Sequence, residues 1–452
     1  MTKVLFIAYF FPPVGGAGVQ RALKFVQYLP GEGILPTVIT GPSAPEDRWT
    51  PHDRTLMQSV PAEVQVHRVG GETPTSSSRM RGRMERWLGV PTLFAKWWID
   101  SATKLGEQIG SGHDLIFATM SPFESGTVAQ RLSMRLGIPW VADLRDPWAL
   151  DEMQVYPSGI HRKMELRRME RMLATASLII MNTPESTNAL REACPSLRSK
   201  PILTITNGFD QSDFAGEIAP REDTKFRIVH TGYFHTDNGL QLRKRRFYRL
   251  LGGAEAGVDI LTRSHTVLLK AIQRWCQARP EVRSNLEVVF AGKTSEADRT
   301  VASDSAVAEL INFTGYLTHE KSVHLVRAAD LLFLPMPDLP AGRRSRIVPG
   351  KTYEYIAAAR PILAAVPEGD AKDFVTSCGM GLTCKPGDVQ GMVSILDLVY
   401  SNWKTKKQDF LRFNGTFVAQ FERRNLTKAL SAGFDSILHS TEAREVGIPA
   451  QA

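Results

Sequence analysis

Short apolar runs alternate with segments whose apolar residues recur every three or four positions. Residues 4–10 form the first run, rich in β-branched and aromatic side chains, and read as a strand. Val19, Ala22, Leu23, Val26 and Leu29 then fall at helical spacing, which predicts a helix over 19–29. Further strands are predicted at 37–40, 115–118, 140–144, 178–181 and 202–206, with helices at 126–136 and 161–176. Such alternation predicts a parallel sheet covered on both faces. The rhythm then restarts. Strands are predicted at 226–232, 286–292, 311–315, 331–335 and 361–366, and helices at 264–277, 321–329 and 351–359. The break falls in the polar stretch 217–225, so the pattern predicts two α/β domains, 1–217 and 225–405. Two segments interrupt the rhythm and read as insertions: 73–86, rich in Ser and Arg, and 236–262, which holds Arg243, Lys244, Arg245 and Arg246 in a row.

The chain has 452 residues, enough for two domains at roughly 100–200 residues each. Apolar residues at 43% and charged residues at 23% exclude a mainly disordered chain. No stretch of 18 apolar residues occurs, which argues against a transmembrane helix. The opening run resembles a signal peptide in composition, but Pro12-Pro13 cuts it short, so a buried strand is the reading. Cys194, Cys276, Cys378 and Cys384 are sparse and form no Cys-x-x-Cys pair, which argues against a disulfide scaffold or a zinc site. The chain therefore reads as reduced and cytoplasmic.

Candidate chemistry gathers at two glycine-bearing turns. The first strand runs into Pro12-Pro13-Val14-Gly15-Gly16-Ala17-Gly18 and then a helix, where backbone amides can approach an anion. A dinucleotide fingerprint needs a third glycine and an acid after the next strand. Val19, Gln20 and Arg21 follow Gly18, and Gly41-Pro42-Ser43 follows the second strand, so a nicotinamide dinucleotide is argued against. In the second half, Gly350 and Lys351 open a helix that carries Glu354. A helix start with a lysine suits a diphosphate, and Glu354 suits ribose hydroxyls.

Residues 346–366 resemble the donor-binding segment of the retaining glycosyltransferases of family four, which have the GT-B fold. The opening YFFPPVGGAGVQRALKF is similar as well, as are DLRDPWAL (143–150), TNGFD (206–210), RIVHTGYF (227–234), LEVVFAGK (286–293) and INFTGYL (311–317). The resemblance spans about residues 3–438 in the expected order. It implies two Rossmann-like, doubly wound domains facing across a cleft, and a final helix, 409–438, packing back on the first domain. It also implies that the second domain holds the nucleotide-sugar and the first the acceptor. Carried over by position, the donor-binding residues are Gly15, Gly16, Lys293, Tyr316, Leu317, Arg344, Arg346, Gly350 and Glu354. Glu354 resembles the second member of the family's paired glutamates; the first would fall at 346, where this chain has Arg346. That departure bears on which residue reads the sugar hydroxyls. Arg263 resembles one member of a basic pair on the diphosphate, with Lys293, Lys351 or Arg344 as the other. Arg263 and Lys351 would stabilise the charge on the leaving diphosphate. Ser121–Ser125 resembles the loop facing the reacting sugar, without the histidine common there. Asp146, in Arg145-Asp146-Pro147-Trp148, is the candidate acceptor-side contact or base, against a plain salt bridge with Arg145. No Asp-x-Asp occurs, so fixed cations replace a metal and no cofactor is expected.

Residues 79–104 interleave Arg79, Arg81, Arg83, Arg86, Lys96 and Lys104 with Trp87, Leu88, Leu93, Phe94, Trp97, Trp98 and Ile99. Arg162, Lys163, Arg167, Arg168 and Arg171 add a basic stripe on a predicted helix. This combination suits an anionic membrane face. The net charge, 55 − 47 = +8, is modest and no recognition motif is present, which argues against nucleic acid. Together with these residues, the family resemblance implies that the chain is a metal-independent, retaining hexosyltransferase, peripheral at the inner membrane face. It would move sugar from a nucleotide-diphosphate sugar to a glycan or lipid-linked acceptor in cell-surface polysaccharide synthesis. A nucleotide-sugar epimerase or phosphorylase on the same fold, or a non-catalytic glycan- or partner-binding protein, remains the alternative.

Overall fold

The computed structural model describes residues 1–42, 51–71, 73–74, 87–88, 90–218, 221, 223–244, 246–407 and 410–445. The chain divides into two compact units. One comprises Met1–Asp151, Tyr156–Asn207 and Arg423–Ala452, the other Glu152–Val155 and Gly208–Glu422. The passage at Asn207–Gly208 comes ahead of the polar stretch 217–225.

The first unit is built on seven parallel strands: β1 (Thr2–Ile7), β2 (Ile34–Thr40), β3 (Gln65–Arg68), β4 (Leu115–Thr119), β5 (Trp140–Leu144), β6 (Leu178–Met181) and β7 (Ile202–Thr204). Their order is β3-β2-β1-β4-β5-β6-β7. The central strands are buried on both faces, so they read as unbroken apolar runs. Sequence and structure part at β3, where QVHR is an edge strand with too little buried surface to need an apolar run. The helix Arg423–Glu445 belongs to this unit. Leu430, Phe434 and Ile437 join the core beside Val4 and Phe6, and the Phe434 ring centroid lies 5.7 Å from that of Phe117. Burying a side chain such as Phe434 contributes about 1.5–3 kcal/mol.

The second unit has six parallel strands: β8 (Phe226–Thr231), β9 (Leu286–Ala291), β10 (Ile311–Gly315), β11 (Leu331–Pro335), β12 (Ile362–Ala365) and β13 (Gly381–Cys384). The order β10-β9-β8-β11-β12-β13 makes it doubly wound as well. β13 escaped the sequence pattern: GLTC is short, opens on a glycine and is half-buried. The supposed insertion 236–262 is structured. It holds the helices Thr236–Lys244 and Arg246–Leu250, and Leu242, Ala254, Val258 and Ile260 form a small core of their own. Of the other supposed insertion, 75–86 lies outside the described residues.

Candidate functional site

In the second unit β8 and β11 are the neighbours at which the chain order reverses. Ligands of open α/β sheets bind outside the carboxyl ends of the strands at such a point. Lys351, the first residue of the helix Lys351–Ala357, reaches this place. Its ammonium donates to His230 Nε2 at 2.9 Å, and His230 Nδ1 donates to the Phe333 carbonyl at 2.9 Å. The Phe234 ring stacks on His230 with centroids 4.2 Å apart. The Thr231 N–H donates to the Tyr355 hydroxyl at 2.9 Å, which ties the end of β8 to the same helix. Burial holds His230 well below the ordinary imidazole range, and the neighbouring Lys351 adds to the effect. Burial also holds Lys351 well below the ordinary lysine range; the Arg263 charge pushes the same way and Glu354 opposes it. Gly232 and Gly292 leave room here. At Gly232, φ is +96° and a Cβ would lie 3.1 Å from Lys351 Nζ. At Gly292, φ is +140° and a Cβ would lie 2.5 Å from the Gly232 carbonyl oxygen. The result is a glycine-lined strand end with two cations, Lys351 and Arg263, suited to an anion.

Among the candidates for the second cation, Lys351 is thus the one placed beside Gly232 and within electrostatic reach of Arg263. Arg344 instead pairs with Asp373 and is 41% exposed. Lys293 follows Gly292, and Tyr316 and Leu317 follow β10; all three are half-buried. Glu354 is half-buried on the same helix as Lys351, while Gly350 is exposed with φ −54°, so it starts the helix without any demand for glycine. Arg346 lies among carboxylates. Its backbone N–H donates to Glu152 Oε1 at 3.2 Å, and its guanidinium is 3.9 Å from Glu255 Oε1. Arg343 pairs with Glu255 too. Arg263 Nη1 lies 2.8 Å from Met153 Sδ.

In the first unit, Gly15 donates its N–H to the Pro51 carbonyl at 2.6 Å, and Gly16 precedes the helix Ala17–Tyr28 with φ +89°. From that helix Arg21 reaches the buried Asp143, with Nη2 2.6 Å from Oδ1 and Nε 3.0 Å from Oδ2. It also donates to the carbonyls of Thr206 and Ile205. Arg145 donates to the Gly18 carbonyl, and burial lowers its pKa. Asp146 is 56% exposed, with Oδ2 4.0 Å from Arg145 Nε. That is the outer limit of an ion pair.

The tryptophan-rich segment is only partly surface. Trp98 and Ile99 face the core, with Trp98 Nε1 donating to Ser125 Oγ at 3.2 Å, and Phe94 and Trp97 pack against that core. The helix Leu93–Ile109 is amphipathic, so these rings serve folding. Trp87, Leu88, Val90 and Leu93 do stay exposed. Of the basic residues, 79–86 lie outside the described residues.

Sequence reasoning missed His230, Gly232, Tyr355, Glu152 and Glu255. His230 carried a signal: a polar residue inside an otherwise apolar buried strand needs a reason. Glu152 carried none, because its partner Ser345 lies 193 positions away.

No protein-family model matches the chain, and no curated protein matches its sequence. Solved structures do. Sucrose-phosphate synthase from Thermosynechococcus elongatus is 13% identical, with a TM-score of 0.64 over 97% of this chain and 100% of that one. HepE from Anabaena, in complex with UDP and glucose, is 16% identical, with a TM-score of 0.57 over 96% and 100%. A glycosyltransferase from Rickettsia africae is 11% identical, with a TM-score of 0.61 over 97% and 98%. The fold is GT-B. At these identities the likeness establishes architecture, and the chemistry rests on the residues. Among the described residues no group of three or more His, Cys, Asp or Glu is placed to hold a metal ion, and no helix is long and apolar enough to cross a membrane.

Proposed function

We propose that this chain is a glycosyltransferase that takes a hexose-type sugar from a nucleotide-diphosphate sugar. The observation that carries the proposal is the pairing of Lys351 with Gly232 and His230 at the switch point of the second sheet, with Arg263 in electrostatic reach. Two cations at a glycine-lined strand end suit a diphosphate, whose charge grows as the glycosidic bond breaks. Fixed cations then do the work of a divalent metal, so transfer is metal-independent. Glu354 takes the ribose. HepE, a GT-B structure solved with UDP and glucose, supports a UDP-sugar as the first donor to try.

The acceptor is a glycan or lipid-linked glycan, the stereochemistry retaining, and the setting cell-surface polysaccharide synthesis; the family resemblance supports these parts. Peripheral membrane attachment rests on one helix face. Along Gly159–Leu173, Ile160, Lys163, Met164, Arg167 and Arg171 are exposed, and His161 Nε2 lies 2.9 Å from the Trp87 carbonyl oxygen. Apolar side chains ringed by cations fit an anionic bilayer.

The test is a calorimetric titration with UDP and GDP, first without metal and then with magnesium, on the wild type, Glu354→Ala and Arg263→Ala. Metal-free binding that both variants lose supports the reading and names the base. No binding of either nucleotide by the wild type sinks it.

A further inference from the structure

Glu152 belongs to the short segment Glu152–Val155 of the second unit and is 3% exposed. One oxygen, Oε1, accepts from the Ser345 hydroxyl at 2.5 Å and from the Arg346 N–H at 3.2 Å. The other, Oε2, is shielded from water and has no hydrogen-bond partner among the described residues. A buried carboxylate oxygen without a donor is costly, and its presence calls for an explanation. The nearby cations are engaged elsewhere. Arg343 and Arg346 face Glu255, and Arg344 pairs with Asp373.

The anchor of this carboxylate is stiff. The Ser345 N–H donates to the Glu368 carbonyl at 2.7 Å, and Ser345 forms a bridge with Gly369. Gly369 has φ +138°, and a Cβ there would lie 2.8 Å from Ser345 N, so the backbones are in close contact. Glu152 is therefore an acceptor held in place against Ser345 and Arg346, on the segment that leads into Lys351 and Glu354. An anionic oxygen repels phosphate and accepts O–H groups, so it complements the uncharged, hydroxyl-bearing part of a donor while Arg263 and Lys351 take the charged part.

We propose that Glu152 Oε2 accepts a hydroxyl of the donor sugar, which makes Glu152 a specificity-determining residue. The inference rests on the donor reading given above. Glu152→Gln is its probe: the amide carbonyl keeps the bonds to Ser345 and Arg346 and puts an NH2 group where Oε2 was. Wild type, Glu152→Gln and Ser345→Ala are titrated with UDP, UDP-glucose, UDP-galactose, UDP-N-acetylglucosamine, GDP and GDP-mannose. Glu152→Gln is expected to hold the bare nucleotide within about twofold of wild type. It should lose about tenfold or more for the sugar nucleotide that wild type binds best. Ser345→Ala is expected to keep that preference. Equal shifts for nucleotide and sugar nucleotide, no shift for either, or the same loss in Ser345→Ala overturns the proposal. Should Glu152→Gln not fold, Glu152→Asp, which pulls Oε2 back by one methylene, carries the same comparison. A wild type that binds no nucleotide brings down the donor reading itself, a result separate from any variant.

Discussion

Lys351 and His230 share one hydrogen bond, 2.9 Å long, in which the ammonium is the donor and Nε2 the acceptor. Because Nδ1 donates to the Phe333 carbonyl, the imidazole presents its lone pair to the lysine. A proton on Nε2 would set two cations against each other in a buried place. The bond thus ties the charge state of a strand residue to that of the anion-binding lysine.

Stability follows from that tie. His230 has a folded pKa below the ordinary 6.5, so as pH falls through about 6.5 the unfolded chain takes up a proton that the folded chain refuses. Lys351, also lowered, contributes in the same direction over a window that begins at its ordinary 10.5. Folding stability therefore falls on the acid side. The urea midpoint of the wild type is expected to drop between about pH 7 and about pH 5, and Lys351→Met to flatten that drop, since His230 then charges without a second cation beside it. A wild-type midpoint constant over this range contradicts the account.

Binding of a diphosphate reverses the lysine's shift. An anion beside the ammonium favours its charged form, so the complex holds more protons than the free protein and affinity falls as pH rises. The Kd for UDP is expected to rise as pH is raised from about 7 toward 10.5, the ordinary lysine value, and Lys351→Met to flatten that dependence. A Kd that stays constant over this range would mean that the lysine's charge is not linked to binding.

The exposed face of helix Gly159–Leu173 makes its own prediction. Ile160 is 71% and Met164 51% exposed, so replacing both by Asp costs little stability, within about 1 kcal/mol. The same change puts two anions against an anionic bilayer. Wild type is expected to float with vesicles containing anionic lipid at low salt, and Ile160→Asp/Met164→Asp to stay at the bottom of the gradient. Flotation of both proteins alike removes this face from the reading.

Much of the architecture was legible in the chain because parallel strands buried on both faces must be apolar throughout. Trp140–Leu144, Leu178–Met181 and Leu331–Pro335 stand where the apolar runs placed them. The edge strands β3 (QVHR) and β13 (GLTC) left no such trace, being short and poor in apolar side chains, whereas β7 and β10, also at edges, lie within 202–206 and 311–315 where strands were predicted. In the candidate site, local sequence marked Lys351 and Glu354 on one short helix. It left the choice among Lys293, Lys351 and Arg344 open, because that depends on the distance to β8, which no local pattern encodes. The arginine at 346 looked like a missing carboxylate. Folding brings two carboxylates to it, Glu152 from far upstream and Glu255 from the segment 236–262.

The last relationship is Arg21 with Asp143, 7% and 0% exposed. The guanidinium spends its donors on the carboxylate and on the Thr206 and Ile205 carbonyls, so helix Ala17–Tyr28, β5 and the turn after β7 meet at one residue. Two charges out of water are costly to keep, but worse to separate. Removing one partner of such a pair typically costs about 3–5 kcal/mol because the other is left buried and unpaired, whereas removing both can be far milder. Asp143→Leu is expected to lose that much in urea unfolding. Arg21→Met/Asp143→Leu should lose clearly less than the two single changes added together, a coupling read from the double-mutant cycle. If the losses simply add, the pair is not the joint that holds these three elements. The carbonyl bonds of Arg21 would then account for its burial by themselves.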